Sequence, residues 1–323
     1  MAPPFAIPQD VVNFIDGAFV QSNMRVAARM SNLPTIHETF LDFCFIEAIS
    51  EYAAPHRLPS DYVVDMDVHF LGQGRHWESW EIADVGLIVT YRRAGTLVRT
   101  KVALLQSKRL YPREAEFVED EGLSKYAGFG QLRGPVVLPA QEERQFRFDS
   151  TCRYRALQVG DEQWRAIAAY EDHYQIPVHY LLYHPKAVPS EQTLPVIASR
   201  RKLISRPEVG CRIVRASEMR AVTATAAWSR NYAPSYGDLR STAKPTTRGL
   251  QSEGAPGWRL EDFVSRRLLD CQDGYIASTE LGEDAGLSRV FSQRGAPISA
   301  AIRIDVNAPE EIVLDEQETG RRG

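Results

Sequence analysis

"WEIADVGLIVTYRRAGTLVRTKVALLQSKRLYP", residues 80–112, is the stretch whose reading decides the fold. Residues 80–92 are a nearly continuous run of strand formers interrupted only by Asp84 and Gly86, the pattern of a strand covered on both faces. Residues 94–96, Ala-Gly-Thr, supply a hairpin turn, and a second strand follows, closed by Pro112. Val102 to Leu105 run straight into Gln106, Ser107, Lys108 and Arg109, so a buried strand ends by setting an amide beside an ammonium. Side chains two apart in a strand share a face, which groups Gln106 with Lys108 and turns Leu105 and Ser107 the other way. Two arms of nearly equal length bring Asp84 level with residues 105–107. One carboxylate, one amide oxygen and one ammonium then converge.

Working outward, "DYVVDMDVHF" at 61–70 alternates, with Val64, Met66, Val68 and Phe70 on one face and Asp65, Asp67 and His69 on a solvated one. Before it, in residues 35–53, Phe40, Phe43, Cys44, Ile46, Ile49 and Ala53 recur at three and four, the period of an amphipathic helix. Residues 1–30 read as an N-terminal arm or a short packing segment. Residues 113–160 mix charge, Gly and Pro and read as an insertion, with one short strand near "CRYRAL". Asp161 has the position of an N-cap for a helix over "QWRAIAAYEDHYQ", and "IPVHYLLYHP" is a strand bounded by prolines. The order is helix, three strands, helix, strand, an α/β core over 31–190. Residues 191–323 form a C-terminal extension, with a strand-like "GCRIVRASEMRAV", a flexible stretch at about 223–257 and a helix in "RLEDFVSRRLLDC".

The converging trio suits phosphodiester hydrolysis. Mg²⁺ takes oxygen ligands in octahedral geometry and keeps several waters, and Asp84, the Gln106 amide oxygen and the Ser107 carbonyl offer three positions. A lysine beside the ion can hold the attacking water and stabilise charge that develops on the phosphate. The formal charge is −4, from 38 Lys plus Arg against 42 Asp plus Glu, so any nucleic-acid surface must be local. Residues 199–220 carry such a surplus in Arg200, Arg201, Lys202, Arg206, Arg212, Arg215 and Arg220. Four well-separated cysteines read as core residues of a reducing compartment, and no apolar run is long enough for a bilayer, so a cytoplasmic protein without a membrane partner is expected. No GxxxxGK[ST], GxSxG or HExxH is present, so P-loop, nucleophile-elbow and zincin chemistry have no sequence support.

Asp84 followed by "QSK" at the end of an apolar strand, within this element order, resembles the PD-(D/E)xK nuclease superfamily, in the D…QxK form of Mrr-like restriction endonucleases. Ala83 stands where that family often has proline, and Gln106 where it has an acid. The resemblance covers about residues 35–185 and implies a restriction-endonuclease-like core, a mixed sheet flanked by helices. It makes Asp84, Gln106 and Lys108 catalytic, and Asp84, Gln106, Ser107 and Glu38 the ligands of Mg²⁺ or of Mn²⁺ in its place. Glu38 is preferred to Glu47 as the helix acid. It also implies DNA as substrate, contacted by Arg109, Arg200, Arg201, Lys202 and Arg206. A homodimer, a partner subunit of a defence system, and a role in restriction or anti-phage defence follow from the same likeness. The rival expectation is a nuclease-like module that binds nucleic acid or protein without cutting.

Overall fold

The computed structural model describes residues 2–70, 82–113, 144–194, 208–225, 232–245, 254–277 and 298–310. The hairpin forms as the pattern requires. Strands β1 (His56–Arg57) and β2 (Val63–Phe70) precede β3 (Ala83–Arg93) and β4 (Thr96–Arg109), and β3 and β4 pair antiparallel from Arg93↔Thr96 to Val85↔Leu105. The two turn residues, Ala94 and Gly95, have φ of 48° and 81°, the left-handed backbone that a tight two-residue hairpin demands. One step beyond the last pair, Asp84 stands level with Gln106.

The sheet is mixed and, among the described residues, has nine strands, ordered β1-β2-β11-β3-β4-β6-β8-β9, with β10 also on β4. Its remaining members are β6 (Val178–Tyr183), β8 (Arg212–Arg215), β9 (Trp258–Arg259), β10 (Tyr275–Ala277) and β11 (Ile298–Ala308). Strands β5 (Arg144–Phe148) and β7 (Ser190–Leu194) form a separate pair. Along one edge of β4, β10 takes residues 100–102 and β6 takes 104–109. The C-terminal chain therefore completes the sheet. Strand β11 lies between β2 and β3, so the three strands expected in succession are not consecutive neighbours. Its Arg303 meets Asp67 at 2.5 Å, and its Asp305 meets Arg92 at 2.8 Å.

Helices cover both faces. On the face of His179, a helix running from α (Leu260–Asp262) into π (Phe263–Leu268) brings the Phe263 ring to 4.9 Å from the imidazole. On the opposite face, Tyr180 stacks at 6.3 Å on Trp164 of a helix spanning Glu162–Tyr174, capped by Asp161 through the Trp164 N–H (2.7 Å). Residues Ala216–Thr225 add another helix directly after β8. The segment expected to be an arm or a short packing segment is a 24-residue helix, α1 (Gln9–Asn32), that packs on the core through Val11, Ile15, Ala18, Phe19, Val26 and Met30. Its stripe includes Ser22 and Asn23, buried polar residues that blur the pattern because each has a distant partner: Phe45 O for one (3.1 Å), Glu261 for the other (2.8 Å).

Helix α2 (Glu38–Ser50) is rotated from the sequence expectation. Phe40 and Phe43 are 65% and 54% exposed, while Leu41, Phe45, Ala48 and Ile49 enter the core. That rotation turns the acids Glu38 and Asp42, one turn apart, toward the end of β4. The short strand expected near "CRYRAL" is Arg144–Phe148, and Arg153 makes only an isolated bridge to Ser235. No described helix is long and apolar enough to cross a membrane.

Candidate active site

The site forms where β4 leaves the core. Asp84 Oδ2 accepts the Ser107 N–H at 2.7 Å and a hydrogen bond from Gln106 Nε2, and Oδ1 accepts none from the described residues. With its NH₂ group committed to Asp84, Gln106 is left with a buried Oε1 that has no partner among the described residues. The Lys108 ammonium, 5% exposed, lies 3.6 Å from Glu38 Oε1, and Glu38 Oε2 accepts the Arg109 N–H at 2.9 Å. Ser107 Oγ donates to Asp42 Oδ1, which also takes the Tyr183 hydroxyl at 2.5 Å. Successive residues of a strand face opposite ways, so α2 reaches both faces of the strand end, with Asp42 on Ser107 and Glu38 on Lys108.

Burial and mutual repulsion dominate the electrostatics. Loss of hydration lifts the Asp84 carboxyl to about 6; Lys108 opposes the rise and the field of Glu38 adds to it. Asp42 is pushed well above the carboxylate range by burial and then by the charge of Asp84. Glu38 rises for the same first reason, held back by Lys108 and by the Arg109 N–H. Three crowded acids with too little positive charge, beside an orphaned amide oxygen, fit a divalent cation bound through few protein oxygens. Among the described residues no group of three His, Cys, Asp or Glu side chains stands ready as a closed cage, and Mg²⁺ does not require one.

Asp84, Gln106, Ser107, Lys108 and Glu38 are brought together, whereas Glu47 lies exposed on α2. Arg109 is a correction. Its side chain is 1% exposed, donates to Pro34 O at 2.8 Å and stacks 4.2 Å from the Tyr111 ring, so it holds the α1–α2 link and has no surface to offer DNA. Arg200, Arg201, Lys202 and Arg206 lie outside the described residues. Farther along the same basic segment, Arg212 is buried, Arg215 binds Asp273 (2.8 Å) and Arg220 binds Glu171 (2.5 Å), so these three serve the fold.

Sequence reasoning missed Asp42 and Tyr183. Asp42 was legible as the acid one turn after Glu38. Tyr183 reads as a core aromatic, and only the β4–β6 pairing, which sets Tyr183 beside Arg109, together with its hydroxyl's bond to Asp42 brings it to the strand end. No protein family, no curated protein and no solved structure matches this chain, so its function must be argued from the chemistry of the β4 terminus.

Proposed function

We propose that this chain is a Mg²⁺-dependent endonuclease that hydrolyses phosphodiester bonds, with a restriction-endonuclease-like core and DNA as its substrate. The observation that carries the reading is the bond between Asp84 of β3 and Gln106 of β4, with the charge of Lys108, two residues farther on, acting on Asp84 and Glu38 of α2 beside the lysine. Asp84, the unpartnered Gln106 Oε1 and Glu38 would hold the ion, with the Ser107 carbonyl as a further donor. Bound there, Mg²⁺ or Mn²⁺ would supply Lewis acidity toward the phosphate and the attacking water.

The chain's own groups do the rest. Glu38 tethers the Lys108 ammonium, which keeps its compact charge at one place rather than sweeping through solvent. From there Lys108 orients the water and stabilises negative charge as it builds on the phosphoryl oxygens. The Ser107–Asp42–Tyr183 bonds fix the strand end that presents Gln106 and Lys108. Restriction or anti-phage defence, through a homodimer or with a partner subunit, is the biological role this reading implies.

A plasmid-nicking assay with Mg²⁺ or Mn²⁺ tests it. Asp84→Ala and Lys108→Ala should each lower cleavage about 10²-fold or more, and equal cleavage by wild type and both variants withdraws the claim. One observation favours a second reading, a binding module that does not cut: the neutral Gln106 caps Asp84 instead of adding a second anion. Metal-dependent binding to DNA with no nicking by wild type would establish it.

A further inference from the structure

Beyond Lys108 the chain runs into a set of exposed arginines. The Leu110 N–H donates to Tyr183 O (3.0 Å), the Tyr111 N–H to Arg153 O (3.0 Å) and the Arg113 N–H to Arg147 O (2.8 Å). Residues 110–113 thus prolong β4 and align Arg113, Arg147, Arg153 and Arg155, all exposed. Two of the four rest on aromatic faces, Arg155 5.4 Å from the Tyr111 ring and Arg153 4.6 Å from Tyr232. A guanidinium stacked on a ring is held in place before any anion arrives, so less freedom is lost on binding.

Few acids compete. Glu191 meets Arg147 at 2.7 Å in an exposed pair of the kind that contributes little and exchanges readily, and half-buried Asp149 meets Arg113 at the longer distance of 3.4 Å. Among the described residues Arg153 and Arg155 make no ion pair; Arg153 donates to Ala233 O (2.7 Å), and Asp238, which feels the charge of Arg153, takes the Tyr232 hydroxyl (2.7 Å) and the Ser235 N–H (2.8 Å). On a chain of net charge −4 this is a concentrated positive strip. From Lys108 to Arg113, five residues at about 3.3 Å each span about 17 Å, the length of about five phosphates along one B-form strand.

We propose that this strip is the track along which a DNA strand reaches the site, its phosphates held by Arg113, Arg147, Arg153 and Arg155. The inference rests on the nuclease reading for the identity of the polyanion, and it puts the basic surface past the end of β4, where Arg113 shares the strand face of Ser107 and Arg109.

Fluorescence anisotropy of labelled single-stranded and duplex oligonucleotides, with the full chain in EDTA over a series of salt concentrations, tests it. Arg153→Glu with Arg155→Glu should weaken binding about tenfold or more at moderate salt. The slope of log K against log salt should become shallower by about 1.4 on the single strand or about 1.8 on duplex, at about 0.7 and 0.9 per lost phosphate contact. Arg153→Lys with Arg155→Lys keeps the charge and should keep the slope, and an unchanged thermal midpoint separates lost contacts from misfolding. Wild type that binds neither oligonucleotide, or a Glu variant that binds with wild-type affinity and slope, overturns the track. Cleavage in Mg²⁺ is read separately. If wild type cleaves while the Glu variant binds normally, the track falls and the nuclease stands; if the strip carries binding but nothing is cut, the nuclease falls.

Discussion

Replacing Asp84 with Asn should stabilise the protein above about pH 6 while removing the proposed cleavage. Asp84 titrates at about 6 instead of 3.8, first because burial strips its hydration and further because Glu38 lies in range, with Lys108 offsetting only part. About 2 pKa units at about 1.4 kcal/mol each come to about 3 kcal/mol, an upper figure because the carboxyl is only partly buried and solvent screens some of it. The sign follows from which state ionises first. Below about pH 4 the group is protonated folded and unfolded alike, and it contributes no penalty. As pH rises the unfolded chain loses this proton first, so stability falls between about pH 4 and about 6, and the full penalty remains above that. Asn is nearly isosteric, and its oxygen can still accept the Ser107 N–H and the Gln106 amide. In thermal unfolding with EDTA at about pH 7.5, Asp84→Asn should melt about 6 °C above wild type, at about 2 °C per kcal/mol for a chain of this size, and near pH 4 the gain should vanish. Added Mg²⁺ should then raise the wild-type midpoint and leave the variant nearly unmoved. Equal midpoints at both pH values would refute the claim that the fold holds this carboxyl at a cost.

Phe19→Ala, inside α1, should cost about 3–5 kcal/mol in urea unfolding, whereas a peripheral arm would register almost nothing. Phe40→Ser should change stability by no more than about 0.5 kcal/mol, since that ring projects outward; a loss above about 3 kcal/mol would return it to the core. Tyr183→Phe removes one of two donors to Asp42 and should cost about 1–3 kcal/mol, and an unchanged urea midpoint would show the bond to be idle. A chain ending before Ile298 lacks the strand between β2 and β3 and should lose cooperative unfolding by circular dichroism.

The local signals were sufficient for the β3–β4 hairpin, the Asp161 cap and the placing of Asp84 level with Gln106. Period-two burial, turn chemistry and capping are written within windows of about a dozen residues, so one stretch carries them whole. Other features depended on partners far along the chain. Asp42 matters because Ser107 and Tyr183 meet it from 65 and 141 residues away. Arg109 looked like a surface cation until Pro34 and Tyr111 closed over it, and the stripe of α1 is interrupted by polar residues whose bonds lie on α2 and near residue 261. Strand β11 enters the middle of the sheet from the far end of the chain. The sequence by itself determined which residues could form strands and helices and which polar groups stand at a strand's end. Only the tertiary structure decided which of those groups would be buried together, because the cost of burying a charge depends on neighbours that no local pattern records.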